Sequence, residues 1–259
     1  MKAAGLAYEA RGQSGPVVVC LHGIGGNASS FAPQLEGLAE ACQIISVSLP
    51  GYGGSDVITP VSFHALADAV LSFLDAMQLD SAHLCGHSIG GMIAIETACH
   101  APARVNSLAL IGTTSAFGGR DDSFKDAFVA DRLKPLDEGL TLADLAPRFV
   151  SEITGKSATT AVTNAAAETM AAVPEATYRD IIRCLVTFNR RDDLNTVALP
   201  ACLIAGDEDQ NAPSRTMKRM ADGMPNAEFH EITGAGHLIN LEASDETNRI
   251  LSAFYRRLS

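Results

Sequence analysis

A hydroxyl, an imidazole and a carboxylate, the side-chain types that nucleophilic acyl transfer needs, fall at informative places in the chain. The hydroxyl is Ser88, in Gly86-His87-Ser88-Ile89-Gly90, between an apolar run, AHLCG (82–86), and a helical pattern, GMIAIETACH. A serine at so sharp a turn takes a strained backbone, and glycines two residues to either side let strand and helix pass closely. Its hydroxyl is a weak nucleophile at neutral pH, so it needs a base, and the base needs an orienting acid. Of seven histidines, His22 lies in a glycine loop, His64 and His100 in helices, and His83 and His230 in strands. His237, in Gly234-Ala235-Gly236-His237, has a glycine-freed loop near the chain end and is the expected base. The acid falls in Gly206-Asp207-Glu208-Asp209-Gln210, where position favours Asp209 and leaves Asp207 as the alternative. His87 reads as a residue packed under the turn, not as a second base.

A tetrahedral intermediate also needs N–H donors aimed at its oxyanion. The loop Leu21-His22-Gly23-Ile24-Gly25-Gly26-Asn27 supplies them, and the amides of Ile24 and Ile89 are the expected pair. This loop lacks the spacing and the lysine of a phosphate cradle. The segment Leu49 to Ser55 reads as a turn.

These residues need a scaffold that delivers them to one edge. Apolar runs at 17–21, 43–49, 82–86, 105–111, 201–206 and 227–232 read as strands, several without polar alternation, as in a parallel sheet covered on both faces. Helical patterns at 62–77, 91–100, 214–224 and 245–258 alternate with them, which makes a doubly wound α/β sheet. GLAYEARG at the start suggests an antiparallel edge strand. Between Phe117 and Thr196 only helical stretches occur, broken at Gly139, Gly155 and Pro174. We therefore expect a core of residues 1–116 and 197–259 with a helical cap, 117–196, packed on the sheet edge.

Composition narrows the function. The 259 residues are 47% hydrophobic and 19% charged, as in a packed globular chain with a large core. A formal charge of −11 argues against nucleic acid or an anionic membrane as partner. Arg190-Arg191 is followed at once by Asp192-Asp193 and reads as a solvated, salt-bridged turn. Six scattered cysteines without a CxxC pair read as buried free thiols in a reducing cytoplasm, and no metal or cofactor is expected. The N-terminal segment has no uninterrupted apolar stretch, so secretion is not expected.

HGIGGN, LPGYGGSD, GHSIGG, GDEDQNAP and GAGHLINLE, in that order over nearly the whole chain, resemble the α/β-hydrolase fold family in its esterase and lactonase branch. LVTFNRRDDLNTVALPACLIAG is similar to the corresponding stretch of the 3-oxoadipate enol-lactonases. The resemblance implies Ser88, Asp209 and His237 as a catalytic triad, Ile24 and Ile89 as oxyanion donors, and a small ester or lactone as substrate, with no cofactor. A homodimer is compatible with it. The chain departs from those lactonases at His22-Gly23, at Pro50-Gly51-Tyr52 and in having no tryptophan. Ser88 excludes the dehalogenase and epoxide hydrolase branches, which need an aspartate there. A non-enzymatic receptor on the same fold and a carbon–carbon bond hydrolase remain as alternatives, the latter disfavoured by Leu238 after the histidine. In the cap, Arg148 and Phe149 on LADLAPRFV are the candidate clamp for a substrate carboxylate, against a competing pairing of Arg148 with Asp144.

Overall fold

The computed structural model describes residues 1–118 and 123–258. The apolar runs form the strands β3 (Val17–Leu21), β4 (Gln43–Val47), β5 (Ala82–His87), β6 (Val105–Ile111), β7 (Ala201–Gly206) and β8 (Ala227–Ile232). Ahead of them, β1 (Lys2–Ala3) and β2 (Leu6–Arg11) come from the opening segment. One sheet results, in the order β1-β2-β4-β3-β5-β6-β7-β8. Pairing is parallel from β4 to β8 and antiparallel at β1 and β2, the edge that GLAYEARG suggests. The architecture is the mostly parallel, doubly wound α/β sheet that the sequence implies, with the central β5 carrying the serine turn.

Both faces of the sheet's central strands are buried. Val18 and Cys20 of β3 join a core built with α1 (Ala32–Gly37) and with Ile250, Leu251 and Phe254 of α10 (Ser244–Arg256). Their neighbours Val19 and Leu21 join the opposite core, with α2 (Phe63–Ala76), α3 (Ile89–His100) and α8 (Ser214–Asp222). A polar residue in either register would be buried, which is why these strands show no alternation. Five of the six cysteines are buried, and Cys99 is half-buried. No helix among the described residues is long and apolar enough to cross a membrane.

Boundaries differ from the sequence pattern where the chain turns sharply. α3 starts at Ile89, two residues before the expected Gly91, because the turn at Ser88 leads directly into the helix. β4 ends at Val47, and Ser48 and Leu49 already belong to the following loop. The short α1 and α9 (Ile239–Glu242) were not expected. At 6 and 4 residues they are too short to show a helical period.

Between β6 and β7 lie α4 (Ser123–Asp137), α5 (Leu142–Ile153), α6 (Thr160–Ala171) and α7 (Glu175–Leu185). Thr141 and Asp144 cap α5 reciprocally, and Thr159 caps α6. The two ends of this helical insertion meet in a bridge between Ala116 and Asn189, next to a hydrogen bond from the Phe117 amide to the Phe188 carbonyl. Arg190 then binds Glu96 of α3 with two 2.7 Å hydrogen bonds. The solvated turn expected at Arg190-Arg191 is thus only part of its role. Arg190 does reach Asp193 at 3.1 Å, but its main partner is the buried carboxylate that α3 itself carries.

Candidate active site

At the end of β5 the chain turns at Ser88 with φ 55° and ψ −121°, a region non-glycine residues rarely enter. The turn closes only because two positions lack a Cβ. One added at Gly86 would lie 2.3 Å from the Gly90 carbonyl oxygen, and one at Gly90 would lie 2.0 Å from that of Leu21. This geometry lifts the Ser88 hydroxyl out at the carboxyl edge of the sheet, where Gly206 and the β8–α9 loop bring the acid and the histidine.

Ser88, His237 and Asp209 form one hydrogen-bonded chain. His237 Nε2 lies 3.0 Å from Ser88 Oγ, and His237 Nδ1 lies 2.8 Å from Asp209 Oδ2. The other carboxylate oxygen, Oδ1, accepts the amides of Asn211 at 2.8 Å and Ala212 at 3.0 Å. Burial opposes the charge on Asp209, which is 2% exposed, yet the His237 imidazole and the two amides hold its carboxyl below the ordinary range. It therefore stays ionised beside the imidazole. The other two acids are engaged elsewhere: Asp207 Oδ1 accepts the Gly234 amide, and Glu208 pairs with Lys156 on the helical insertion.

The amide of Ile24 and that of Ile89 both lie by the serine turn, and neither donates to a backbone carbonyl among the described residues. The Ile24 loop is held from below by His22, whose Nδ1–H donates to the Gly23 carbonyl while Nε2 accepts the Leu49 amide. Complete burial pushes the His22 pKa down to about 4, so the ring is neutral and can accept at Nε2. Leu49 to Ser55, read as a simple turn, is thereby tied to the loop beneath the serine.

The histidine loop rests on Glu242, the last residue of GAGHLINLE and one to which the sequence pattern assigns no role. Its buried carboxylate accepts the amides of Gly236 and Leu238, one on each side of His237, at 2.9 Å each. It also accepts the amide of Gly155 from the turn between α5 and α6, at 2.7 Å. There the insertion touches the loop so closely that a Cβ on Gly236 would lie 2.3 Å from the Gly155 nitrogen. The His237 amide donates to the Ile153 carbonyl, closing the contact.

A cavity of about 490 Å³ opens above Ser88 and His237 under the insertion. Phe149 lines it, but Arg148 does not. Successive helical residues point about 100° apart, so a residue next to a cavity-facing phenylalanine turns away. Arg148 is 68% exposed and pairs with Glu152 at 2.7 Å, which corrects both its expected clamp role and its pairing with Asp144. The arginine in the cavity is Arg132 of α4. Its guanidinium carbon lies 4.8 Å from the ring centre of Phe149 and 5.5 Å from that of Phe128. The available signal was its spacing four residues after Phe128, which puts both on one helix face.

Residues 16–244 match the family model described as the alpha/beta hydrolase fold. A protein of Azorhizobium caulinodans named as a carbamate hydrolase, RutD, is 30% identical over 97% of this chain and 95% of its own. The 3-oxoadipate enol-lactonase 1 of Acinetobacter baylyi is 25% identical over 95% of this chain and 91% of its own. Among solved structures, an enol-lactonase from Burkholderia xenovorans superposes with a TM-score of 0.87 at 21% identity, covering 97% of this chain and 96% of its own. An esterase from Thermogutta terrifontis does so with a TM-score of 0.88 at 23% identity, covering 98% and 93%.

Proposed function

The chain belongs to the alpha/beta hydrolase fold family, and from that premise we propose that it is a serine hydrolase that cleaves a small carboxylic ester or lactone through an acyl-enzyme. The observation that carries this reading is the Asp209–His237–Ser88 chain, at 2.8 and 3.0 Å, on the floor of the cavity. In the proposed reaction Ser88 Oγ attacks the substrate carbonyl while His237 Nε2 takes its proton. Asp209 keeps the proton of His237 on Nδ1 and stabilises the imidazolium that forms. The amides of Ile24 and Ile89 receive the oxyanion. Collapse breaks the ester C–O bond, and the departing alkoxide takes the proton from His237. A water molecule, deprotonated by His237, then attacks the acyl carbon and releases the acid and Ser88. In a lactone the alkoxide and the acyl group are one molecule, so nothing leaves until the second step.

The cavity supports a substrate that carries a carboxylate. Among the described residues, Arg132 is the one lysine or arginine that lines it, and no aspartate or glutamate does. With the Phe128 and Phe149 rings beside it, the guanidinium keeps its donors for a planar anion. Tyr178 lines the same wall, and burial pushes its phenol up to about 12, so it stays a protonated donor.

The relatives' names point to two neighbouring carbonyl chemistries, so the test uses both. p-Nitrophenyl esters, small lactones and aryl carbamates, each with and without a distal carboxylate, are given to the wild type and to Ser88→Ala. Ester or lactone turnover that vanishes in Ser88→Ala is the expected result. Turnover confined to carbamates would move the substrate class, and binding without any Ser88-dependent turnover would make the protein a receptor.

A further inference from the structure

Far from the serine, at the solvent edge of the seam between α2 and α3, three metal-ligating side chains converge. His64 and Asp68 stand one turn apart on α2, and His100 is the last residue of α3. His64 Nε2 lies 3.6 Å from Asp68 Oδ2, and His100 Nε2 lies 3.5 Å from Asp68 Oδ1. Both separations are longer than a hydrogen bond. The two imidazoles meet edge to face, their ring centres 4.4 Å apart, and the possible ligand atoms of all three residues lie within 4.8 Å of one another.

We propose that His64, Asp68 and His100 bind a divalent transition-metal cation of the Zn²⁺ class, bridging α2 and α3. Two imidazoles and a carboxylate are borderline ligands that suit Zn²⁺ and disfavour Mg²⁺ or Ca²⁺. Zinc bonds of about 2.0 Å in a tetrahedron place neighbouring ligand atoms about 3.3 Å apart, so the 3.6 and 3.5 Å separations from the carboxylate need only a small inward adjustment, and rotation of the exposed side chains closes the rest. The side chains are 39% to 60% exposed, so a hydrated ion enters from solvent and keeps water as its fourth ligand. A second cluster, Cys202, Glu228 and His230, is already committed: Glu228 accepts hydrogen bonds from both His230 and Arg257.

The site lies at the opposite end of α3 from Ser88. Twelve helical residues separate them by about 18 Å. Its ion therefore takes no part in the reaction at the serine. It joins two helices that otherwise meet through side-chain packing, and it stabilises only the folded chain, in which the three ligands are together.

The full-length, untagged protein is stripped with a chelator, dialysed and titrated with Zn²⁺, with calorimetry and thermal unfolding as readouts. The expected result is one Zn²⁺ per chain and, at free zinc about a hundredfold above the dissociation constant, a midpoint raised by roughly 5 °C. Both should disappear in the double variant His64→Gln/His100→Gln and weaken in Asp68→Asn. All three positions are exposed, and circular dichroism checks that the variants fold. Cys99→Ser, beside His100, should keep the binding. Zinc binding that survives in the double variant, a wild type that does not saturate, or loss in Cys99→Ser would each overturn the assignment.

Discussion

His87 Nε2 lies 2.7 Å from the backbone carbonyl oxygen of His237, so the residue before the serine holds the main chain of the residue that faces its hydroxyl. Burial first, and then the neighbouring His237, push the His87 pKa down to about 3, so the ring is neutral at ordinary pH. As the carbonyl can only accept, the ring proton sits on Nε2. His87 is thus a positioning residue that spans the gap between the serine turn and the histidine loop. His87→Leu, of similar bulk but without a donor, should lower kcat by about tenfold or more and leave KM nearly unchanged. Unchanged kcat would reduce the bond to a purely structural one.

Glu242 acts on the same loop from the other side. In Glu242→Gln one oxygen can still serve Gly155 and Gly236, but the amide NH₂ group faces the N–H of Leu238. Two donors face to face should cost about 1 to 3 kcal/mol in a denaturant titration and lower kcat with it. Glu242→Asp, shorter but charged, should lose activity without recreating the donor clash. Equal stability of wild type and Glu242→Gln would show that the loop holds itself.

The sheet and the reacting groups were legible in the sequence for the same reason. Strands such as Val17–Leu21 announce themselves by unbroken apolar character, and Ser88 by glycines that only a close strand–helix crossing demands. Supporting contacts leave weaker marks. Glu242 works through three backbone amides, one of them 87 residues away, and no side-chain pattern records that. Arg148 sits on α5, which has a clear apolar stripe, and Arg132 on α4, which has almost none, so the pattern drew attention to the helix whose arginine faces solvent. Glycine pairs like Gly155 and Gly236 show in sequence only as loop breakers, although each leaves room for the other.

The strain at Ser88 predicts a separation of stability from activity. At φ 55° a Cβ is unfavourable whatever the side chain, so Ser88→Ala keeps the strain and Ser88→Gly releases it. Both variants should be inactive. Ser88→Gly should be more stable than Ser88→Ala by about 1 kcal/mol, despite the greater freedom glycine gains when unfolded. Thermal unfolding of the pair decides it, and the reverse order would mean that the surrounding turn relaxes in the absence of the hydroxyl.

The two aspartates near Gly206 should separate in kinetics. Asp209→Asn loses the charge beside His237 and favours the wrong imidazole tautomer, so kcat should fall by about four orders of magnitude. Asp207→Asn keeps an acceptor for the Gly234 amide and should stay within a few-fold of wild type. Steady-state rates on one activated ester are enough, and the opposite ranking would move the orienting acid to Asp207.

Buried neutral histidines also set how the fold responds to acid. His22 and His87 have pKa values of about 4 and about 3 in the folded protein, against an ordinary 6.5. A lowered value means that below pH 6.5 the unfolded chain takes up protons that the folded chain refuses. The stabilisation is complete above that pH and shrinks as pH falls towards the folded values. Asp209 shifts in the same sense but at lower pH: its depressed carboxyl favours the fold above the ordinary carboxylate range and loses that effect only in stronger acid. Between pH 7 and pH 5 the histidines therefore dominate these effects, and together they should remove about 4 kcal/mol of stability. Urea titrations at the two pH values measure the loss. In His22→Asn the loss should shrink by about half, because asparagine at that position has no proton to gain, and an unchanged pH dependence would place the acid sensitivity elsewhere in the chain.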